Sequence, residues 1–168
     1  MAFITSGTTV LSFATYDDVE DRDQRLFEAN EGLTVDVVED LLIRSTERIL
    51  SQLRSSEWWR TYYLNQSGVS ISNMANIPEL DASRILSRQN DFTDLCVFHC
   101  FYYYIMPRIA DFSNENNAER MKIGHYQQKY NDLFGELITA GDWYDFDNDG
   151  TVQSDEKELG YYNLRRVR

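Results

Sequence analysis

Residues 35–56 repeat apolar side chains at the spacing of an α-helix, and this pattern constrains the fold more than any other stretch. In "VDVVEDLLIRSTERILSQLRSS" the apolar positions fall on one face, and most of the charged positions lie away from it. Thr34 precedes the stretch and is suited to cap its first turn. The pattern predicts a long amphipathic helix whose buried face consists of Val38, Leu41, Leu42, Ile49 and Leu53.

Four further segments carry helix signals. Residues 16–29 follow a capping Thr15 and begin with acids, as the first turn of a helix prefers. Residues 78–89 begin at Pro78 and predict a short helix. The stretch "DFTDLCVFHCFYYYIMPRIA" is apolar nearly all round, which indicates an enclosed helix that Pro107 ends or kinks. Residues 115–141 predict a last long helix, stopped by Gly141.

Composition points to the same class. Only two Pro and eight Gly occur in 168 residues, and 42% of the chain is hydrophobic, which favours long helices over a many-turned β-sandwich. Residues 8–14 are rich in β-branched side chains and predict a short strand or an extended arm. We therefore predict one all-α domain, a small helical bundle over residues 15–141. It has an N-terminal extended arm (1–14), an acidic EF-hand-like loop (142–160) and an extended basic tail (161–168).

The segment "DFDNDGTVQSDE", residues 145–156, matches the spacing of an EF-hand calcium loop. Such loops supply side-chain oxygens from positions 1, 3, 5 and 12, the backbone carbonyl of position 7 and a water-mediated group at position 9. They place Gly at position 6, which here is Gly150. The alternative is an acidic surface turn whose side chains cap their own backbone. Only one such loop occurs in the sequence, so we expect a structural calcium ion rather than a paired sensor. The predicted ligands are Asp145, Asp147, Asp149, Thr151, Gln153 and Glu156.

Charge and motifs exclude several functions. The net charge of −12 argues against a generic nucleic-acid binder, which needs a surplus of Lys and Arg. No nucleophile elbow, P-loop, zinc-protease motif or dinucleotide turn is present, so we predict no enzyme activity. Cys96 and Cys100 are one helical turn apart, a spacing that predicts two free thiols. His99 lies between them, but a structural zinc ion needs four ligands, so we expect no zinc site here. The chain start lacks a leader pattern, and the longest apolar run is too short to span a membrane. These features predict a soluble protein inside a cell.

Two segments are candidates for contact with a partner. Adjacent helical residues point about 100° apart, so we expect one of Trp58 and Trp59 in the core and the other at a subunit boundary. Burial of both at a bend between helices is the alternative. The C-terminal "YYNLRRVR" combines aromatic anchors with three Arg and no acid, which predicts a docking tail. Its contact residues are Tyr161, Tyr162, Leu164, Arg165, Arg166 and Arg168.

The order of these parts carries a resemblance. An amphipathic helix reading "VEDLLIRSTERILSQLRSSEWW", a buried helix, a long helix reading "AERMKIGHYQQKYNDLFGEL" and a charged tail resemble the head-to-tail connector (adaptor) proteins of tailed bacteriophages. The likeness covers residues 34–168 by pattern, whereas residues 1–30 depart from the simplest members.

The resemblance implies a structural protein of the virion neck, assembled in the host cytoplasm. It implies a homo-oligomeric ring of about twelve copies that joins the portal to the tail or to further neck proteins. DNA would pass through the ring without sequence-specific binding, and no membrane is involved. An acidic chain suits such a channel, since like charge keeps DNA phosphates from sticking. A calcium-binding interaction module that uses the single loop is the alternative function.

Overall fold

The computed structural model describes residues 3–7, 9–30, 32–64, 77–114 and 117–157, and the chain is mostly helical with one small two-stranded sheet. Its contacts divide it into two compact units. Unit 1 comprises residues 1–49 and 89–135, and unit 2 comprises residues 50–88 and 136–168. Among the described residues, no helix is both long enough and apolar enough to cross a membrane.

Unit 1 begins with a β-hairpin. Strand β1 (Ile4–Ser6) pairs antiparallel with β2 (Thr9–Ser12), and Gly7 at the turn has a φ of +63°, which favours glycine. The strand predicted over residues 8–14 is therefore present as β2, but its partner β1 was not predicted. The hairpin makes the strictly all-α prediction too narrow, because the N-terminal arm contains a sheet.

The helix predicted over residues 16–29 is two helices, α1 (Tyr16–Arg22) and α2 (Gln24–Ala29). The predicted cap is confirmed: Asp18 donates its amide to Thr15 Oγ1, and its carboxylate accepts the Thr15 amide at 2.8 Å. The chain breaks at Asp23, which has an extended φ of −151° and whose carboxylate accepts a bond from Lys122. A contact distant in sequence therefore divides the predicted helix.

The long helices agree with the prediction. Helix α3 (Val35–Ser55) buries all five predicted apolar side chains, and α7 (Ala118–Ala140) ends at Gly141, where φ is +58°. Helix α5 (Gln89–His99) is buried along most of its length. It continues as a π-helical segment (Cys100–Ile105) and a last turn, α6 (Met106–Ile109), which contains Pro107. The predicted disturbance at Pro107 is thus a change of helix type.

The two cysteines of unit 1 are free and buried, as predicted. Burial raises the pKa of the Cys96 thiol to about 12 and raises that of Cys100 as well. Thr46 Oγ1 lies 3.5 Å from Cys96 Sγ, within hydrogen-bond distance for sulfur. Both thiols are therefore protonated packing groups at neutral pH, and they are poor nucleophiles.

Unit 2 contains α4 (Glu57–Leu64), a 3₁₀ turn (Ala82–Arg84) and α8 (Ser154–Lys157). The prediction of a helix over residues 78–89 is wrong, because between Pro78 and the start of α5 only the 3₁₀ turn is helical. The Asp81 carboxylate accepts the Ser83 amide at 2.9 Å and so caps a short turn. The chain then leaves the helical conformation, because Ile85 forms an antiparallel β-bridge with Tyr144.

Candidate metal centre

The acidic loop rests on a cluster of aromatic rings in unit 2, which we call the α4 aromatic cluster. Phe146, the second residue of the loop, has its ring centroid 4.1 Å from that of Tyr62, 5.0 Å from that of Tyr144 and 5.3 Å from that of Trp58. Contacts of this kind fix the base of the loop by apolar burial and favourable ring geometry. The cluster consists of Trp58, Trp59, Tyr62, Trp143, Tyr144 and Phe146.

Trp58 and Trp59 are both buried, with only 6% and 1% of their surface exposed. The prediction that one of them lies at a subunit boundary is therefore wrong, and the alternative of burial at a bend is the correct one. Helix α3 ends at Ser55 and α4 begins at Glu57, so the chain bends just before the pair. The Trp59 indole N–H donates to the Pro78 carbonyl at 3.0 Å, and the ring of Trp58 packs against that of Trp143 with their centroids 4.5 Å apart.

Backbone pairing positions the first residues of the loop. The Leu86 amide donates to the Trp143 carbonyl at 3.1 Å, and the Asp145 amide donates to the Arg84 carbonyl at 3.0 Å. The Arg84 guanidinium also donates to the Phe146 carbonyl at 3.1 Å. The residues that lead into the loop are thus extended and paired, so the loop lacks the preceding helix of a helix–loop–helix unit.

Three of the predicted ligands converge. One carboxylate oxygen from each of Asp145, Asp147 and Asp149 lies within 4.8 Å of the other two. Asp145 is 2% exposed, whereas Asp147 and Asp149 face solvent. The backbone turns sharply here, with a φ of +64° at Asn148 and +90° at Gly150, as the Gly of the motif requires.

Hydrogen bonds within the loop hold these carboxylates in place. Asp145 accepts the amides of Asn148 at 2.6 Å and Gly150 at 2.9 Å, one on each carboxylate oxygen. Asp149 accepts the amide and the hydroxyl of Thr151, both at 2.8 Å. Because each bond spans two to five residues, the loop is preorganised by its own sequence.

Glu156 closes the loop from its far end. Its Oε1 accepts the amides of Phe146 at 2.6 Å and Asp147 at 3.2 Å, and its Oε2 accepts the amide of Gln153 at 2.8 Å. This carboxylate is 8% exposed and lies outside the converging triad. It therefore ties the first and last turns of the loop together in this structure. Oε2 accepts one amide, so it retains a lone pair for a cation.

Electrostatics within the loop are uneven. Partial desolvation, then the charges of Asp149 and Glu156, raise the pKa of Asp147. Hydrogen bonds from Thr151 and Gln153 lower the pKa of Asp149, so this carboxylate is kept charged. A divalent cation would relieve the repulsion that Asp147 experiences, because it neutralises the neighbouring carboxylates.

The loop thus brings together three of the six predicted ligands. Thr151 and Gln153 direct their side chains to Asp149, with Gln153 Nε2 donating at 2.5 Å. All oxygen groups of the triad are hard ligands, which suit Ca²⁺ or Mg²⁺ better than a soft transition metal. The predicted contact residues of the tail (161–168) lie outside the described residues.

Sequence reasoning missed the α4 aromatic cluster. The sequence contains the two aromatic runs that form it, "EWWRTYY" and "WYDF", but neither run indicates that it packs on the other. No known protein family, curated protein or solved structure matches this chain.

Proposed function

We propose that the protein is a structural component of a tailed-phage particle, a connector ring that joins the portal to the tail. The observation that supports this best is the order of helices: amphipathic α3, enclosed α5 and long α7, followed by the acidic loop and a basic C-terminal sequence. These are the elements on which the resemblance to head-to-tail connectors rests. The net charge of −12 suits a DNA channel, because carboxylates repeated around a ring repel phosphates.

In this proposal the acidic loop holds a structural Ca²⁺ ion. Asp145, Asp147 and Asp149 would bind it, and Glu156 is placed to join them through its free lone pair. A bound ion would neutralise the charge of these carboxylates and would hold the parts of the loop together. Because residues 143–145 are paired with residues 84–86, the start of the loop is fixed, and a rigid loop defines where the basic C-terminal sequence starts.

The extended residues before the loop favour this structural role over calcium sensing. A sensor converts binding into a change of angle between two helices, and here the preceding helix α7 ends at Ala140, before the loop begins. Residues 143–145 are instead tied to residues 84–86 by backbone pairing. An ion bound in the loop therefore has no adjoining helix before it to move.

Imaging tests the connector role. The full chain is mixed with the portal protein of the same phage and examined by electron microscopy, and particles are labelled with an antibody against the chain. We expect a ring on the portal and label at the neck between head and tail. A chain that never joins the portal, or label elsewhere in the particle, contradicts the proposal.

Terbium luminescence tests the metal site. Tb³⁺ binds calcium loops, and tryptophans as near as Trp58 and Trp59 should sensitise its emission. We expect emission that Ca²⁺ displaces, and a loss of affinity of about tenfold or more in Asp147→Asn, since affinity follows ligand charge. Asp147 accepts the Asp149 amide at 3.1 Å, a bond that Asn can keep.

Asp111→Asn is the matched control, because Asp111 also caps a short acidic turn by accepting the Ser113 amide at 2.9 Å. This variant should bind Tb³⁺ as the wild type does. Equal weakening in both variants, or no emission at all, would reduce the loop to an acidic turn. The connector proposal does not depend on that outcome.

A further inference from the structure

Unit 1 carries an exposed group of Arg and Tyr side chains on a strongly acidic chain. Arg44 and Arg48 are exposed and one turn apart on α3, and Tyr103 is 53% exposed on the π-helical segment. Among the described residues, neither Arg forms an ion pair, although Asp40 and Glu47 lie on the same helix. We call this surface the Arg-Tyr patch: Arg44, Arg48, Tyr102, Tyr103 and Tyr104.

The π-helical segment explains how three consecutive tyrosines share this surface. Pro107 has no amide hydrogen, and its ring would clash with the carbonyl of Tyr103 in a regular α-helix. The helix widens instead, with the Met106 amide donating to the Phe101 carbonyl five residues earlier. Ring centroids of Tyr103 and Tyr104 then lie 5.0 Å apart, and those of Tyr102 and Tyr103 lie 6.0 Å apart. Such segments occur often at functional sites.

A buried polar group lies behind the patch. His99 is 1% exposed, and its Nδ1 has no hydrogen-bond partner among the described residues. Its ring stacks on exposed Tyr103 at 5.3 Å with an interplanar angle of 17°. Burial, then the Arg48 charge, lower the pKa of His99 to about 4, so the imidazole is neutral at pH 7. The positive charge of the patch therefore comes from Arg44 and Arg48.

The tyrosine hydroxyls are available as donors. Burial, then neighbouring Tyr103, raise the pKa of Tyr102 and of Tyr104, so both hydroxyls remain protonated at neutral pH. Guanidinium groups and phenol hydroxyls together form charge-assisted hydrogen bonds with carboxylates, and tyrosine rings add contact area of low entropy cost. The ligand that this chemistry fits is a pair of carboxylates on a protein surface.

The same unit offers such a pair on α1. Asp17 and Asp21 are exposed and also one helical turn apart, which matches the spacing of Arg44 and Arg48, about 6 Å between Cβ atoms. A cleft of about 550 Å³ that Asp21 lines has three acidic side chains, and its one arginine, Arg22, is paired with Asp94. It is lined by Asp18, Asp21, Arg22, Asn90, Thr93 and Asp94.

We propose that the Arg-Tyr patch of one copy binds the acidic face of α1, at Asp17 and Asp21, of a second copy. This inference rests on the proposed ring and names its subunit contact. Charge complementarity carries it: a chain of net charge −12 repels its own copies unless an exposed cationic surface meets an acidic one. Nucleic acid is the less suitable ligand, because the rest of the chain would repel phosphate.

The placement of the two surfaces suits a ring. Asp94, which pairs with Arg22 of α1, is the middle residue of α5. Tyr103 lies beyond the C-terminal end of that helix, about 13 Å further along its axis. Two different surfaces that bind each other form a head-to-tail contact, which repeats and closes when the rotation between copies allows. A symmetric dimer would instead need one surface that complements itself.

Charge reversal tests the contact on the full chain, alone and with the portal protein, by mass photometry and sedimentation velocity. R44E/R48E and D17R/D21R should each weaken self-association by about tenfold or more, which corresponds to about 1.4 kcal/mol. The variant with all four changes should recover association to within about threefold, because the charges again match. R44K/R48K should retain most of it.

R25E/R120E is the matched control, because it removes the same charge from two exposed arginines of unit 1 outside the patch. Circular dichroism and urea unfolding confirm that every variant is folded. The inference is overturned if R44E/R48E associates like this control, if the four-residue variant fails to recover, or if the wild type stays monomeric. It is also overturned if the patch variant loses only binding to a labelled DNA oligonucleotide.

The two proposals fail separately. If the chain forms a ring that joins the portal and the charge reversals do not weaken that ring, the connector role stands and the inferred subunit contact is wrong. Self-association that follows the reversals, in a chain that never joins a portal, keeps the inference and removes the connector role.

Discussion

The two aromatic clusters of this chain differ in what their polar edges meet. In the α4 aromatic cluster the indole N–H of Trp143 donates to the Leu137 carbonyl at 2.8 Å, and the Tyr144 hydroxyl accepts the Asp81 amide at 3.3 Å. Around His99 in unit 1, the rings of Tyr102, Tyr103 and Tyr104 reach the surface, and the imidazole Nδ1 is unpartnered among the described residues.

Burial and partners separate a structural cluster from a binding surface. A buried polar atom with a partner stabilises one arrangement of rings. One without a partner lowers stability, so its presence calls for an explanation such as a functional role. The distinction is not absolute, since Trp58 Nε1 in the α4 aromatic cluster also has no partner among the described residues. The two clusters also differ in exposure to solvent, since Trp143 is fully buried and Tyr103 is half exposed. We therefore assign folding stability to the first cluster and recognition to the second.

The largest expected effect is on the free energy of unfolding when the α4 aromatic cluster loses a ring. Trp143→Ala removes a fully buried side chain and its bond to the Leu137 carbonyl, and should destabilise the chain by about 3–5 kcal/mol. Urea unfolding followed by far-ultraviolet circular dichroism measures it. A loss below about 1 kcal/mol would contradict the structural role of this cluster.

The second prediction concerns pH and His99. The folded chain holds the His99 pKa near 4 against 6.5 for an ordinary histidine, so the unfolded chain binds more protons between these values. The stability that neutral, buried His99 contributes to the folded chain is complete above pH 6.5 and is lost as the pH falls toward 4. His99→Phe should lose about 2 kcal/mol less stability than the wild type between pH 7 and pH 5. Equal losses in the two proteins would show that other groups cause the change.

The third prediction concerns calcium and the α4 aromatic cluster that supports the loop. If the loop binds Ca²⁺, a concentration one hundred times the dissociation constant stabilises the chain by about 2.7 kcal/mol. The effect should vanish in Glu156→Gln, because Gln lacks the charge that closes the loop through three backbone amides. Thermal unfolding with Ca²⁺ and with a chelator measures it. Calcium stabilisation that persists in Glu156→Gln would show that Glu156 does not contribute to the metal site.

The smallest expected effect is on stability at the Arg-Tyr patch. Tyr103→Ala removes a half-exposed ring, so the free energy of unfolding should change by less than about 1 kcal/mol. The same urea titration as for Trp143→Ala gives a direct contrast. A change as large as that of Trp143→Ala would show that the tyrosines around His99 belong to the hydrophobic core. It would then contradict the distinction between the two clusters.

Local rules predicted most of the helical framework. The buried face of α3, the cap at Thr15 and the stop at Gly141 each depend on residues within a few positions in sequence. The acidic loop belongs to this group, because the hydrogen bonds of Asp145 and Asp149 span at most five residues. Its turn is therefore determined by its own twelve residues.

Contacts between distant residues decided the rest. The predicted first helix is divided at Asp23, whose carboxylate accepts a hydrogen bond from Lys122. The helix predicted after Pro78 does not form, because Ile85 pairs with Tyr144 in a β-bridge. Both cases follow from the small difference in free energy between a short helix and an extended segment, which one tertiary contact reverses.

The sequence by itself determined the long helices, the helix caps and the acidic loop, because each is stabilised by neighbours along the chain. Only the tertiary structure decided that Trp58 and Trp59 are both buried, since the rings that cover them come from residues 143–146. It likewise placed Arg48 close enough to His99 for its charge to lower the histidine pKa. Such pairs are set by chain segments about fifty or more residues apart, and hydrophobic burial is non-directional, so a linear pattern does not specify which segments meet.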